Sequence, residues 1–413
     1  MRSEIGLVTF LVFTSHVQAS AQAIKEERSV LEDFLPLFRV FKKASSDAMR
    51  RIVEHPQNRR LLKRKNKSLV LSNDMTFPCD LNTVSRSPEV PKTAHEVRPG
   101  DIDVIGALGD SLSAGFGASA NTLPEVLSED RGRSFSIGGQ ETWRTSLTLP
   151  NILKMFNPNL IGYSLRTSIT LDEESQFNVA EGGAISENMP YMTKELVKRI
   201  KSDPRVNLER DWKMITLMIG DNDFCLEMCY YKNSEVFLAK HKRDLLYVLR
   251  ILKNNLPRTI VNIIPPIHLR ILTQMSNKPP ICNITHLVEC PCIIGQYTDR
   301  RKLFFDLMRR WQELDIEVSN YPEFDLDDFT VIPHYYTLEQ MLPSTSQGKT
   351  DYTFFSPDCF HFSEKGQSLF ANNLWNSIME PFGFKTRNGS PTFSKLKCPT
   401  VDHPFIFTRR NSG

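Results

Sequence analysis

The sequence predicts an α/β fold, a three-layer sandwich with a mostly parallel central sheet. Three short apolar runs, at residues 103–108, 213–219 and 259–264, have the length and composition of buried strands. Amphipathic helical patterns separate these runs along the chain. Repetition of strand, helix and strand is typical of a parallel sheet that helices cover on both faces.

Each helix is predicted from apolar residues that recur at helical spacing. Between the first and second runs, five such residues share one face of a predicted helix: Met189, Met192, Leu196, Val197 and Ile200. Between the second and third runs, four do so: Leu245, Val248, Leu249 and Leu252. These faces are expected to pack on the sheet.

Composition and charge exclude several classes of protein. With 40% apolar and 24% charged residues, the chain of 413 residues is neither disordered, collagenous nor a coiled coil. Its net charge of +3 is uneven: residues 36–70 hold eleven Lys and Arg against Asp47 and Glu54, a net of +9, which leaves −6 elsewhere. A mildly acidic bulk argues against a nucleic-acid partner.

The N-terminus predicts secretion. Arg2 precedes an apolar stretch and small residues, so we expect a signal peptide at residues 1–23. We expect residues 24–100 to be a basic N-terminal extension and linker. The basic cluster is compatible with a propeptide cut near Lys63-Arg64, with transient contact to an anionic membrane surface, or with a solvated helix face. No apolar run is long enough for a membrane span.

Cysteines and sequons support the same compartment. The cysteines are even in number, so disulfides are expected in a secreted chain, although the sequence cannot choose their pairing. Their spacing does not match paired zinc-binding motifs, and we expect neither a metal ion nor another cofactor. Glycosylation sequons occur at Asn66, Asn283 and Asn388. The eight cysteines are Cys79, Cys225, Cys229, Cys282, Cys290, Cys292, Cys359 and Cys398.

A candidate nucleophile follows the first predicted strand. Active sites of open parallel sheets lie beyond the carboxyl ends of the strands, and Ser111 comes there in a glycine-bracketed turn. A serine needs a positioned base. His361 is the only histidine with an aspartate three residues before it, so Asp358 can orient its imidazole. Taken singly, each motif also suits a helix cap or a surface turn.

Two further segments offer donors for a developing oxyanion. Gly183 lies in a glycine turn ahead of a predicted helix, and Asn222 follows the second predicted strand. A backbone N–H and a side-chain amide at these positions could stabilise negative charge. Both segments are also ordinary turn formers.

Together, in this order, the four segments resemble the four blocks of the SGNH (GDSL) hydrolases. The resemblance is closer to the phospholipase B branch and covers roughly residues 77–386, including segments 97–102, 148–153 and 355–361. It implies an SGNH hydrolase domain at 101–386, followed by a C-terminal tail at 387–413. It also implies a metal-independent serine esterase that releases fatty acids from phospholipids and lysophospholipids, with no obligate protein partner. The resemblance assigns Ser111 as nucleophile, His361 as base, Asp358 as its orienting acid, and Ser111, Gly183 and Asn222 as oxyanion donors.

Two positions depart from the branch. Asp221 stands where a second glycine is usual, and an inward-pointing carboxylate there would oppose the charge of the transition state, whereas an outward one would not. The pair Glu181-Gly182 differs from relatives and bears on substrate fit. Two other functions stay open: an SGNH esterase for short-chain or carbohydrate esters, and a non-catalytic secreted binding protein on the same fold.

Overall fold

The computed structural model describes residues 76–81 and 84–413. The predicted signal peptide, the basic cluster, the Lys63-Arg64 site and the sequon at Asn66 lie outside these residues. Among the described helices, none combines the length and apolar character needed to cross a membrane.

Four parallel strands form the central sheet, in the order β1-β2-β3-β4. The three predicted strands are confirmed to within one residue at each end. The fourth, β4, follows an acidic loop and was not predicted. The strands are β1 (Ile102–Gly109), β2 (Trp212–Met218), β3 (Thr259–Ile264) and β4 (Phe329–Pro333).

Helices connect the strands and cover both faces of the sheet. Short 3₁₀ turns occur in the connections. The α-helices are α1 (Ser111–Ala114), α2 (Leu149–Phe156), α3 (Met189–Ser202), α4 (Ser234–Asn255), α5 (Ile271–Gln274), α6 (Pro280–Glu289), α7 (Pro291–Ile294), α8 (Arg301–Ser319) and α9 (Glu364–Ile378).

The two faces of the sheet belong to two separate hydrophobic clusters. One cluster joins apolar residues of α3 and α4, such as Leu196 and Leu249, to strand residues such as Ile215. The other joins residues of α2 and α9 to strand residues such as Met214. All nine residues of the two predicted helix faces are buried. The predicted three-layer α/β sandwich is therefore confirmed.

The packed core is wider than the predicted domain of residues 101–386. A disulfide joins Cys79 to Cys398, and the Ile406 N–H donates to the Val97 carbonyl at 2.8 Å. Val97 and Ile406 are both fully buried. Single apolar residues in short polar segments leave no periodic pattern, which is why the sequence does not reveal this packing.

Candidate active site

Ser111 lies at the carboxyl end of the first strand. Asp110 follows β1 and caps α1, because its carboxylate accepts the Leu112 N–H at 2.9 Å, and Ser111 is the first residue of that helix. The turn requires Gly109, since a Cβ there would lie 2.3 Å from the Met218 carbonyl oxygen of β2. Packing of β1 against β2 thus determines where the serine emerges.

The structure brings Ser111, His361 and Asp358 into one hydrogen-bonded chain. The His361 Nδ1 and Asp358 Oδ2 atoms are 2.6 Å apart, and the His361 Nε2 and Ser111 Oγ atoms are 2.9 Å apart. Since a carboxylate accepts at Nδ1, the proton lies on Nδ1 and Nε2 accepts from the serine hydroxyl. Each of the three residues exposes less than a tenth of its surface to solvent. This is the geometry that a Ser-His-Asp mechanism needs.

Asp358 is held in its ionised form. Burial alone would raise its pKa, but the His361 imidazole and the backbone N–H groups of Phe360 and His361 keep the pKa of Asp358 below its ordinary value. These two N–H groups donate to Oδ1 at 3.0 and 3.1 Å. The short loop between aspartate and histidine therefore supplies the donors that stabilise the carboxylate.

Backbone pairing along the edge of β1 brings the Gly183 turn to the same end of the sheet. The Val179 N–H donates to the Ala107 carbonyl at 2.9 Å, and the Glu181 N–H donates to the Gly109 carbonyl at 3.1 Å. Gly183 itself has φ +81° and is exposed, with open space where a Cβ would stand. Glycine is favoured by that backbone conformation rather than by crowding.

Asn222 is joined to the Gly183 turn. It follows β2, and its Nδ2 donates to the Ala184 carbonyl at 2.9 Å. A side-chain amide has two N–H groups, so one can serve this bond while the other is available to a ligand. The predicted oxyanion donors Gly183 and Asn222 thus come from neighbouring segments.

A buried arginine holds the segment that leads to Gly183, and the sequence analysis missed it. Arg131 is fully buried and pairs with Glu129 at 2.6 Å. It also donates to the backbone carbonyls of Asn178 and Ala180, at 3.1 and 2.7 Å. In the sequence it lies in a charged run that is typical of an exposed loop, so no signal marks it.

Two further buried carboxyl groups, Asp110 and Asp221, follow β1 and β2. Burial raises the pKa of Asp110 to about 7, against the opposing effects of the Leu112 N–H and His361. Burial, together with repulsion by Asp110, raises the pKa of Asp221 well above its ordinary value, although the Ile267 N–H acts in the opposite direction. Its buried surroundings therefore favour the neutral form of the Asp221 carboxyl group. A neutral carboxyl group does not repel an oxyanion.

Three disulfides connect the segments around His361 and after Asn222 to α6, to the residue after it and to α7. Cys282 of α6 pairs with Cys359, which lies between Asp358 and His361. Cys290, directly after α6, pairs with Cys225, three residues after Asn222. The third disulfide joins Cys229 to Cys292, and no free cysteine occurs in residues 76–81 and 84–413. The predicted disulfides are confirmed, with a pairing that the sequence could not determine.

A second Ser-His-Asp arrangement is formed by Ser186, His241 and Asp315. Ser186 Oγ is 2.7 Å from His241 Nδ1, and His241 Nε2 is 2.6 Å from Asp315 Oδ1. Its histidine stacks on Trp311 at 3.6 Å between ring centroids. The Ser186 N–H also donates to the Asp223 carboxylate. These bonds connect the residues after Gly183 to α4 and α8, so the arrangement has a structural role.

Two predicted glycosylation sites lie within the described residues. Asn283 on α6 and Asn388 near the C-terminus are both exposed. Exposure is required for modification, and their glycosylation stays a prediction.

The chain is similar to known proteins over the region that contains the site residues. The family model described as GDSL-like lipase/acylhydrolase matches residues 105–374. Membrane-associated phospholipase B1 of Homo sapiens is 38% identical over 333 residues, which is 79% of this chain and 22% of the human protein. The Mus musculus protein of the same name is 37% identical over 336 residues, with the same coverage. The chain thus spans about a fifth of the length of these curated relatives.

A solved extracellular lipase from Streptomyces rimosus also aligns, over 64% of this chain and 94% of its own, with 15% identity and a TM-score of 0.32. The family assignment depends instead on the family model, which matches more than half of the chain and includes Ser111 and His361. The resemblance inferred from the four sequence blocks is confirmed. The chain therefore belongs to the GDSL-like lipase/acylhydrolase family of ester hydrolases.

Proposed function

We propose that this protein is a secreted serine esterase that hydrolyses fatty acyl esters of phospholipids and lysophospholipids through an acyl-enzyme. The observation that carries the proposal is the hydrogen-bonded chain from Ser111 through His361 to Asp358 at the carboxyl edge of a parallel sheet. Open parallel sheets bind their ligands at this edge, and the arrangement suits acyl transfer.

The first half-reaction acylates the serine. His361 Nε2 takes the Ser111 Oγ proton as Oγ attacks the ester carbonyl carbon. The carbonyl oxygen becomes an oxyanion, which the N–H groups of Ser111 and Gly183 and the Asn222 amide stabilise. Collapse breaks the bond to the leaving alcohol, which takes the proton from His361, and the acyl group stays on Ser111.

The second half-reaction releases the fatty acid. Water gives a proton to His361 and attacks the acyl-enzyme, and the same donors stabilise the second oxyanion. Collapse returns the proton to Ser111 Oγ. Asp358 stays ionised throughout and stabilises the imidazolium in both steps.

Two partly exposed aromatic rings flank the histidine and support an apolar substrate. The Phe116 ring lies 4.8 Å from the His361 ring, and the Phe360 ring lies 5.2 Å from it, between centroids. Apolar surface beside a nucleophile favours a fatty acyl chain, since its burial is favourable by about 0.8 kcal/mol per methylene. The names of the curated relatives point to the same substrate class.

The proposed compartment is extracellular. Disulfides form and persist in oxidising compartments, and four occur in the described part of the chain. A phospholipid substrate also implies transient contact with a lipid surface.

Fatty-acid release tests the proposal. Purified protein is given phosphatidylcholine, lysophosphatidylcholine and a short acyl ester, beside Ser111→Ala and the exposed control Ser346→Ala. We expect release from both lipids, no release with Ser111→Ala, unchanged release with Ser346→Ala, and a loss of about 10²–10³ in turnover with Asn222→Ala. Release from the short ester alone would favour a short-chain esterase, and no release from any ester would favour a binding protein.

A further inference from the structure

Helix α6 packs directly against the loop that holds Asp358 and His361. Beside the Cys282–Cys359 disulfide, the Thr285 hydroxyl donates to the Asp358 carbonyl at 2.6 Å. His286 Nε2 lies 2.9 Å from the Cys359 carbonyl. These three contacts fix α6 against the loop of Asp358 and His361, and they therefore also fix the position of the last residue of α6.

That residue is Glu289, and its side chain faces the catalytic acid. Oxygen and nitrogen atoms of Glu289, Asp358 and His361 lie within 4.8 Å of one another. Glu289 Oε2 is buried, and within residues 76–81 and 84–413 no N–H or O–H donates to it. A side-chain hydrogen bond to Asp358 is among the causes that raise the pKa of Glu289. Two carboxyl groups can make that contact favourably only if a proton lies between them.

The surroundings decide which carboxyl group holds the proton. Asp358 accepts from His361 Nδ1 and from two backbone N–H groups, which stabilise its anion. Glu289 stands at the C-terminal end of α6, where the helix dipole disfavours negative charge. Burial, followed by the charge of Asp358, raises the pKa of Glu289 well above its ordinary value. The proton therefore belongs to Glu289.

Other titratable groups at this contact do not reverse the assignment. His361 faces Glu289 from the catalytic loop and is already bonded to Asp358. On α6 itself, burial lowers the pKa of His286, and Lys278 acts in the same direction. Lys278 Nζ lies 3.2 Å from His286 Nδ1, which places its charge beside His286.

We propose that Glu289 is a positioning residue, a neutral carboxylic acid whose O–H donates to the Asp358 carboxylate and holds it in line with His361. The inference rests on the proposed function of Ser111, His361 and Asp358. The donated hydrogen bond keeps Asp358 a weak base, so the imidazole proton stays on Nδ1. An anion in place of the neutral acid would instead strengthen the hold of His361 on its proton and slow attack by Ser111.

The test compares Glu289→Gln, which keeps a neutral donor, with Glu289→Leu, which removes it. The exposed Glu209→Leu is the matched control. The readout is the rate at which a fluorophosphonate labels Ser111, measured across pH. We expect Glu289→Gln and Glu209→Leu to keep the rate and its pH midpoint. We expect Glu289→Leu to lose about 10- to 100-fold in rate, the value of a hydrogen bond to a charged group, and to shift the midpoint.

Two results would overturn the inference. One is a Glu289→Leu protein with the wild-type rate and midpoint. The other is a lowered midpoint in Glu289→Gln, because removal of an anion near His361 lowers the pH at which the histidine loses its proton. If Glu289→Leu does not fold, Glu289→Gln decides by the second criterion alone.

Failure of the proposed function has a different signature. A folded wild-type protein whose Ser111 is not labelled contradicts the catalytic assignment itself. Labelling without fatty-acid release from phospholipids contradicts only the substrate class. The imidazole Nδ1 proton, followed by NMR without any substrate, reports the His361–Asp358 bond directly. We expect its signal to be unchanged in Glu289→Gln and altered in Glu289→Leu.

Discussion

At the scale of single residues, the pKa values of the carboxyl groups near Ser111 are shifted in opposite directions because their hydrogen-bond donors differ. Asp358 accepts two backbone N–H groups and an imidazole, and the pKa of Asp358 is lowered despite burial. Asp221 is buried next to another carboxyl group, and the pKa of Asp221 is raised. Ionisation at this site is therefore set by hydrogen-bond donors more than by the identity of the residue.

The raised pKa of Asp221 predicts that the stability of the folded protein depends on pH. Because its pKa is raised above the ordinary 3.8, the folded protein holds this proton to higher pH than the unfolded chain. Stability of folding should therefore fall as pH rises from about 4 to the native pKa. We expect Asp221→Asn to lose less Tm between about pH 5 and about pH 8 than the wild type, by thermal unfolding.

The exposed Asp402→Asn is the control, and its Tm should follow that of the wild type. A parallel fall of Tm in Asp221→Asn and wild type would contradict a raised pKa of Asp221 in the folded protein. So would a several-fold rise in turnover of Asp221→Asn near neutral pH, which would mean that an anion had opposed the oxyanion.

At the scale of elements, α6 and the residue after it are covalently connected to two segments of the site, the loop of Asp358 and His361 and the segment after Asn222. One disulfide connects the helix to the loop of Asp358 and His361, and the residue after the helix is connected to the segment that follows Asn222. The segments of His361 and Asn222 are therefore both attached to α6 or to the residue that follows it, although the two residues lie more than a hundred positions apart in the chain. A misplacement of about 1 Å in such a group can cost about 10²-fold in rate.

Removal of the Cys282–Cys359 disulfide should affect catalysis more than stability. The control is the Cys79–Cys398 disulfide, whose sequence separation of 319 residues exceeds the 77 of Cys282–Cys359. By loop entropy, the wider loop contributes about 1 kcal/mol more to the free energy of unfolding. We expect the Cys282→Ser, Cys359→Ser variant to lose about tenfold or more in kcat, measured below its Tm.

The Cys79→Ser, Cys398→Ser variant should have a lower Tm than the Cys282→Ser, Cys359→Ser variant. Its kcat should stay close to that of the wild type. Equal losses of kcat in the two double variants would show that the disulfides act only through global stability. That result would contradict a specific role for α6.

At the scale of the whole molecule, the patterns with strong periodicity were predictable. The three strands and the apolar faces of α3 and α4 follow directly from hydrophobic spacing. Ser111, His361 and Asp358 were predicted because four segments of the sequence, taken together and in order, resemble the four blocks of the SGNH (GDSL) hydrolases. Local spacing was enough for the strands and helix faces, whereas the site residues needed the four segments to be considered together.

The rest depends on contacts between distant segments. Arg131 and Glu289 look like surface residues in the sequence, and only the tertiary structure buries Arg131 and places the Glu289 carboxyl group against Asp358. The disulfide pairing and the packing of Ile406 on Val97 have the same origin. Such contacts leave no periodic signal along the chain, so the sequence alone cannot reveal them.

The most direct test of the central claim identifies the serine that reacts. Within residues 76–81 and 84–413, two serines are hydrogen-bonded to a histidine that in turn contacts an aspartate, Ser111 and Ser186. Labelling with a fluorophosphonate, followed by peptide mass spectrometry, distinguishes them. We predict an adduct on Ser111, lost in His361→Ala and kept in the exposed control His403→Ala. An adduct on Ser186, or none on Ser111 in the folded wild-type protein, would contradict this account.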